Sequence, residues 1–158
     1  MYSVRWILIF ALLGLPACAR KPPKNAVTLG MHLTASPVLP ADRRTQVVLR
    51  TPALTLQIDP RPVLTERDLD KVELTGEGDN FAMRLVFNTH GTIELDRVSL
   101  DRRNDLIVVL INGIAVAAPQ LKKRIVDGVF EFTPDLTRKE AEKVVEGLKA
   151  LVEYENPK

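Results

Sequence analysis

The side chains able to carry chemistry in this sequence are few: one cysteine, Cys18, two histidines, His32 and His90, and 20 Asp plus Glu among 158 residues. A zinc site needs about four Cys or His ligands at short local spacings. The two histidines fall in separate predicted elements and no cysteine follows Cys18, so no such set can be assembled. Only Ser36 and Ser99 follow Cys18, and neither stands in the G-x-S-x-G turn that exposes a serine nucleophile. The glycine-containing "GEGDN", Gly76 to Asn80, lacks the lysine and the following helix that turn a loop into a phosphate cradle. The acidic runs "DLDKVEL" and "KEAEKVVEG" have the pattern of solvated strand and helix faces. Nothing in their spacing points to the facing carboxylates of a glycosidase. The expectation is a protein that is not an enzyme, with no metal and no cofactor. Nucleic acid is not an expected partner either. The 22 Lys plus Arg nearly balance the acids, and aromatics are only 5% of the chain, which leaves neither a strong positive field nor a stacking platform.

Cys18 is the exception. Arg5 precedes an apolar run from Trp6 to Leu15, about half the roughly 20 residues a helix needs to cross a bilayer, so residues 1–17 read as an export signal. A lone cysteine in an exported protein cannot form an internal disulfide. The stretch "LPAC", Leu15 to Cys18, resembles the bacterial lipoprotein lipobox, although Pro16 departs from the usual small or hydroxyl residue. That resemblance implies cleavage before Cys18, acylation of its thiol by palmitate-like chains, and attachment to the lipid bilayer. Residues 18–25, basic and proline-containing, then form a lipidated tether. Ala19, where an Asp would favour inner-membrane retention, implies a periplasm-facing location with the outer membrane preferred. The alternative is an ordinary cleaved signal ahead of a fortuitous cysteine.

The elements that follow are mostly strands. "AVTLGMHLTASP" and "TQVVLRTPALTLQID" are rich in β-branched residues and broken by prolines, so residues 26–59 read as N-terminal strands packed on the domain. Thr65 and Asp68 approximate a capping box over a single turn, Glu66 to Leu69, with a strand at Lys71 to Thr75. "FAMRLVFN" alternates Phe81, Met83, Leu85 and Phe87 toward a core. Asn88 to Asn104 reads as a helix with Asn88 or Thr89 as cap and a thin apolar face of Ile93, Leu95 or Val98. "VVLINGIAVAAPQL", Val108 to Leu121, divides at Asn112-Gly113 into a hairpin. "GVFEF" is a further strand. Thr137 and Glu140 cap a final helix whose apolar face is Ala141, Val144, Val145, Leu148, Leu151 and Val152. The predicted order is β, β, β, α, β, β, β, α. The expected class is α+β, a mostly antiparallel sheet with two main helices packed on one face.

From Pro60 to Leu151 the order of motifs resembles the head subdomain of the first periplasmic domain of the SecD or SecDF protein-export subunit. The residues carrying the resemblance are Pro62 to Thr65, Phe87 and Asn88, Leu110 to Gly113, Ala117 to Pro119, and Phe132 with Thr133. The family's multiple membrane spans, which carry its proton-coupled work, have no counterpart in these residues. The resemblance implies a noncatalytic α+β domain over residues 60–154, acting in protein export or envelope assembly. Its expected partner is an envelope protein or an extended polypeptide. The expected contact residues lie on the hairpin and its corner: Ile111, Asn112, Gly113, Ile114, Pro119 and Leu121. Two other readings stay open at this point, a cell-envelope hydrolase with carboxylates gathered only in three dimensions, and a purely structural subunit of an envelope complex.

Overall fold

A computed structural model describes residues 23, 25–51 and 53–155. Cys18, the signal 1–17 and the tether apart from Pro23 and Asn25 lie outside the described residues.

The strand "IVVLI", β7 (Ile107–Ile111), is the centre of the fold. It pairs antiparallel with β1 (Leu29–Leu33) on one side and β8 (Ile114–Ala117) on the other, and β1 pairs in turn with β4 (Leu64–Thr65). The order of this four-stranded sheet is β4-β1-β7-β8. An unbroken run of aliphatic residues suits a strand covered on both faces, and both are covered here. Ile107, Val109 and Ile111 enter the main core, whereas Val108 joins Ala115 against Val47, Leu49 and Ile58. Those last three belong to a two-stranded ribbon, β2 (Thr45–Leu49) and β3 (Leu54–Ile58), which caps the sheet's second face.

The third sheet, ordered β5-β6-β9, comprises β5 (Leu69–Glu77), β6 (Asn80–Phe87) and β9 (Val129–Phe132). Phe81, Met83, Leu85 and Phe87 of β6 are all buried, as their alternation predicts. Two helices complete the main core. α1 (Thr89–Asp101) contributes Leu95 and Val98, and α2 (Arg138–Glu155) contributes Ala141, Val145 and Leu148. The α+β class holds, and every pairing between strands is antiparallel.

Several details differ from expectation. The strands divide among three small sheets, and six of them precede α1, because the proline-rich N-terminal segment folds into β1 plus the separate ribbon. The strand expected at Lys71 to Thr75 runs from Leu69 to Glu77, so the turn shrinks to Gly78 and Asp79. Ile93 is 62% exposed and Leu95 and Val98 alone of the expected trio are buried, since positions three apart share a helix face and Ile93 does not lie on it. α1 also stops at Asp101, and Asn104 follows at φ 71°, a left-handed conformation that helical propagation cannot pass through.

Gly91 shows how closely α1 is seated. A Cβ there would lie 2.9 Å from Asp68 Cβ, Asp68 O and Phe87 Cβ. Alanine normally favours a helix over glycine by about 1 kcal/mol, but overpacking costs about 1–3 kcal/mol. Gly91→Ala is therefore expected to lower stability in urea unfolding, and an increase would show that α1 is not held this tightly.

Candidate functional site

The hairpin tip is a clasp within the fold. Asn112 and Gly113 adopt φ of 50° and 78°, as a two-residue turn requires. Asn112 Oδ1 accepts from the Thr28 amide at 3.0 Å and the Asn112 amide donates to Thr28 O at 3.0 Å, which ties the tip to the residue entering β1. Ile111 is buried and Ile114 is exposed. Beyond β8 the chain continues beside the start of β7: the Ile107 amide donates to Pro119 O and the Leu121 amide to Asp105 O. Leu121 is buried in the main core, and both it and Pro119 line a groove of about 640 Å³. Of the expected contact residues, the structure brings only Pro119 and Leu121 to this groove, while Ile111 to Ile114 sit at the other end of the strand.

The groove's opposite wall is β9, the outer strand of its sheet. Residues of an antiparallel strand alternate between pointing their amide and carbonyl toward the partner and away from it. β6 and β9 pair Val86 with Val129, Leu85 with Phe130, Arg84 with Glu131 and Met83 with Phe132, and the Phe87 amide bonds Gly128 O. In that register Phe130 and Phe132 bond β6, and the main-chain groups of Val129, Glu131 and Thr133 point outward. The Val129 amide is occupied by Asp127 Oδ1 at 3.2 Å. The Glu131 amide and carbonyl have no partner among the described residues. A row of unused main-chain groups beside a groove is a template for one more strand.

Near this edge the two walls converge, since the Asp135 amide donates to Val116 O of β8 at 2.6 Å. At the other end the segment 122–128 joins them, and α1 holds it in place. Arg124 Nη2 donates to Asp96 Oδ2 at 2.8 Å, the Ile125 amide donates to Ser99 Oγ at 2.9 Å, and Ser99 is fully buried. Lys122 and Lys123 are exposed on the rim.

The remaining chemical candidates are structural. His32 Nδ1 lies 2.9 Å from Asp59 O, and His90 Nδ1 lies 2.8 Å from Asp68 Oδ1. Asp68 also accepts from the Thr65 amide, completing the capping box over Glu66 to Asp68. Among the described residues no group of three His, Cys, Asp or Glu could hold a metal ion, and no helix is long and apolar enough to cross a membrane. The sequence reading missed the β9 edge. Its signal was present in "GVFEF", where a single charged residue interrupts an aromatic strand.

No family model and no curated protein sequence matches the chain. Solved structures do. SecDF in a super-membrane-facing form matches with a TM-score of 0.60 at 17% identity, over 80% of this chain and 19% of that one. SecDF as a membrane component that enhances protein export matches at 0.59 and 14% identity, over 79% of this chain and 63% of its own. The fold is SecD-like. A third SecDF, a translocon-associated membrane protein from Thermus thermophilus, matches at 0.50 and 15% identity over 79% of this chain and 19% of that one. The chain thus spans less than two thirds of each SecDF chain. At 80% coverage the SecD-like fold also reaches into the residues ahead of 60.

The hydrogen bond from Arg124 holds the Asp96 carboxyl below its ordinary value of 3.8. A carboxyl whose folded pKa is depressed stabilises the fold above its unfolded pKa, and that contribution is lost as pH falls through the folded value. The tie between α1 and the groove segment is therefore expected to persist at pH values where a free Asp is half protonated. An Asp96 carboxyl titration followed by NMR should have its midpoint below 3.8, returning toward 3.8 in Arg124→Ala with faster exchange of the Ile125 amide. A wild-type midpoint at or above the ordinary value would show that the ion pair does not form.

Proposed function

We propose that this chain is a noncatalytic binding module of the bacterial envelope, which receives an extended polypeptide as an added strand on the outer edge of β9. The observation that carries the reading is the unused amide and carbonyl of Glu131 beside the groove lined by Pro119, Leu121 and Ile125. In this mode of recognition the main-chain hydrogen bonds give affinity and side-chain contacts give selectivity. Such a surface suits a partner that is unfolded or extended, because only an unpaired strand has main-chain groups free to donate. The SecD-like fold supports a role related to protein export, since the solved proteins that share it include a component that enhances export.

The same proposal places the module at the membrane through Cys18. Acyl chains on its thiol would contribute about 0.8 kcal/mol per buried CH2, and two or more chains make the attachment stable. The domain then faces the periplasm on the short tether, with the outer membrane as the preferred side.

Titration of the labelled chain with a reduced, alkylated unfolded protein should shift the amides of Phe130, Glu131 and Thr133. Glu131→Pro should abolish the shifts and leave the fold intact, because the lost amide points away from β6 and proline is tolerated on an edge strand. Absence of shifts at millimolar probe would sink the binding role. For the anchor, cells fed labelled palmitate should incorporate label into the wild type and none into Cys18→Ser, and an unlabelled wild type would overturn the lipid attachment.

A further inference from the structure

The solvent-facing side of the three-stranded sheet carries a row of charge in register. Glu73 on β5 stands opposite Arg84 on β6, and Arg84 stands opposite Glu131 on β9. The row reads minus, plus, minus across the strands and ends at the open edge. Glu73 is engaged, its Oε2 meeting Lys71 Nζ at 2.6 Å, while Arg84 reaches Glu73 Oε1 only at 3.9 Å from Nη1 and its Nε has no hydrogen-bond partner among the described residues. Glu131 is not engaged. It is exposed, its carboxylate accepts only from Thr75 Oγ1 at 3.5 Å, and no cation lies within ion-pair distance among the described residues.

Taking the strand-addition reading of β9 as its premise, we infer that the edge selects polypeptide segments carrying a lysine or arginine opposite Glu131. A strand added outside β9 places one residue directly across from Glu131, with its side chain on the same face. That residue extends the alternating row by one place. Its neighbours two positions away fall beside Val129 and Thr133, so an apolar or β-branched residue suits one and a small polar residue the other. The intervening side chains turn toward the face of the buried Phe130 and Phe132. The occupant is thus an extended segment with one outward cation and otherwise uncharged β-forming residues. A second copy of this chain fits poorly, because antiparallel pairing centred on Glu131 sets two glutamates face to face, and like charges directly opposite are destabilising.

The rim lysines make the prediction sharp. Lys122 and Lys123 are exposed and would favour an acidic segment, so the sign of the preference decides whether the cross-strand row or the rim selects. The test uses the full labelled chain and two blocked peptides of about seven residues, alternating Thr and Val, with Lys or Glu at the centre. Affinity is read from the shifts of the Phe130, Phe132 and Thr133 amides. The Lys peptide should bind about fivefold more tightly than the Glu peptide, which corresponds to a cross-strand pair of about 1 kcal/mol. Glu131→Gln, which keeps the side chain's size, should remove the preference, and Glu131→Lys should reverse it. Shifts at β9 with equal affinities, or with the Glu peptide favoured, would overturn the cation selection and leave the strand addition standing. Absence of shifts with either peptide would overturn both.

Discussion

β7 is covered on both faces, and the rest of the molecule is arranged by that requirement. A strand with Val108 and Val109 both fully buried needs apolar cover above and below it. The main core supplies one side, through β6, β9 and the two helices. The other side is supplied by the ribbon of β2 and β3. Burial of each such side chain contributes about 1.5–3 kcal/mol relative to exposure, so removing either layer would leave the central strand facing water. The small sheets are therefore interdependent. The two-stranded ribbon in particular has too few strands to stand alone in water.

This arrangement leaves β9 in an unusual position. Its side chains Phe130 and Phe132 are held in the core, with ring centroids 5.9 Å apart, and its inner main-chain groups are held by β6. The outward amide and carbonyl of Glu131 are left without a partner among the described residues because the connection from β8 does not pair with this strand. That connection is instead drawn toward α1 by Arg124 and Ser99. The groove is thus kept open by contacts made on its far side. An edge that is rigid but unpaired loses little order when it receives a strand, which lowers the entropic cost of binding.

What could be read in the sequence follows from the range of the forces involved. The capping boxes at Thr65 and Thr137, the Asn112-Gly113 turn and the alternation of β6 are set by residues within a few positions of one another, and all appear where expected. The C-terminal end of α1 and the ends of β5 were less legible because they depend on neighbours distant in the chain, as where the Asn104 amide donates to Leu121 O and β5 runs along β6. The division into three sheets was not legible at all, since the sequence records which residues prefer strands and not which strands pair. The candidate edge fails for the same reason: Glu131 is remarkable only once Arg84 and Glu73 are known to stand in line with it. Of the expected contact residues, Ile111 and Leu121 are buried in the core and Asn112 is tied to Thr28, so this part of the hairpin serves the fold.

The clasp between Asn112 and Thr28 has a mechanical meaning. It sits where the chain enters β1, and β1 lies between β4 and β7 with antiparallel hydrogen bonds running across its length. Those bonds are perpendicular to the strand. A pull on the chain ahead of Thr28 acts along β1, so it loads the clasp and the whole ladder to β7 together, in shear, and does not open them one at a time. The domain is therefore built to bear tension applied from its N-terminal side.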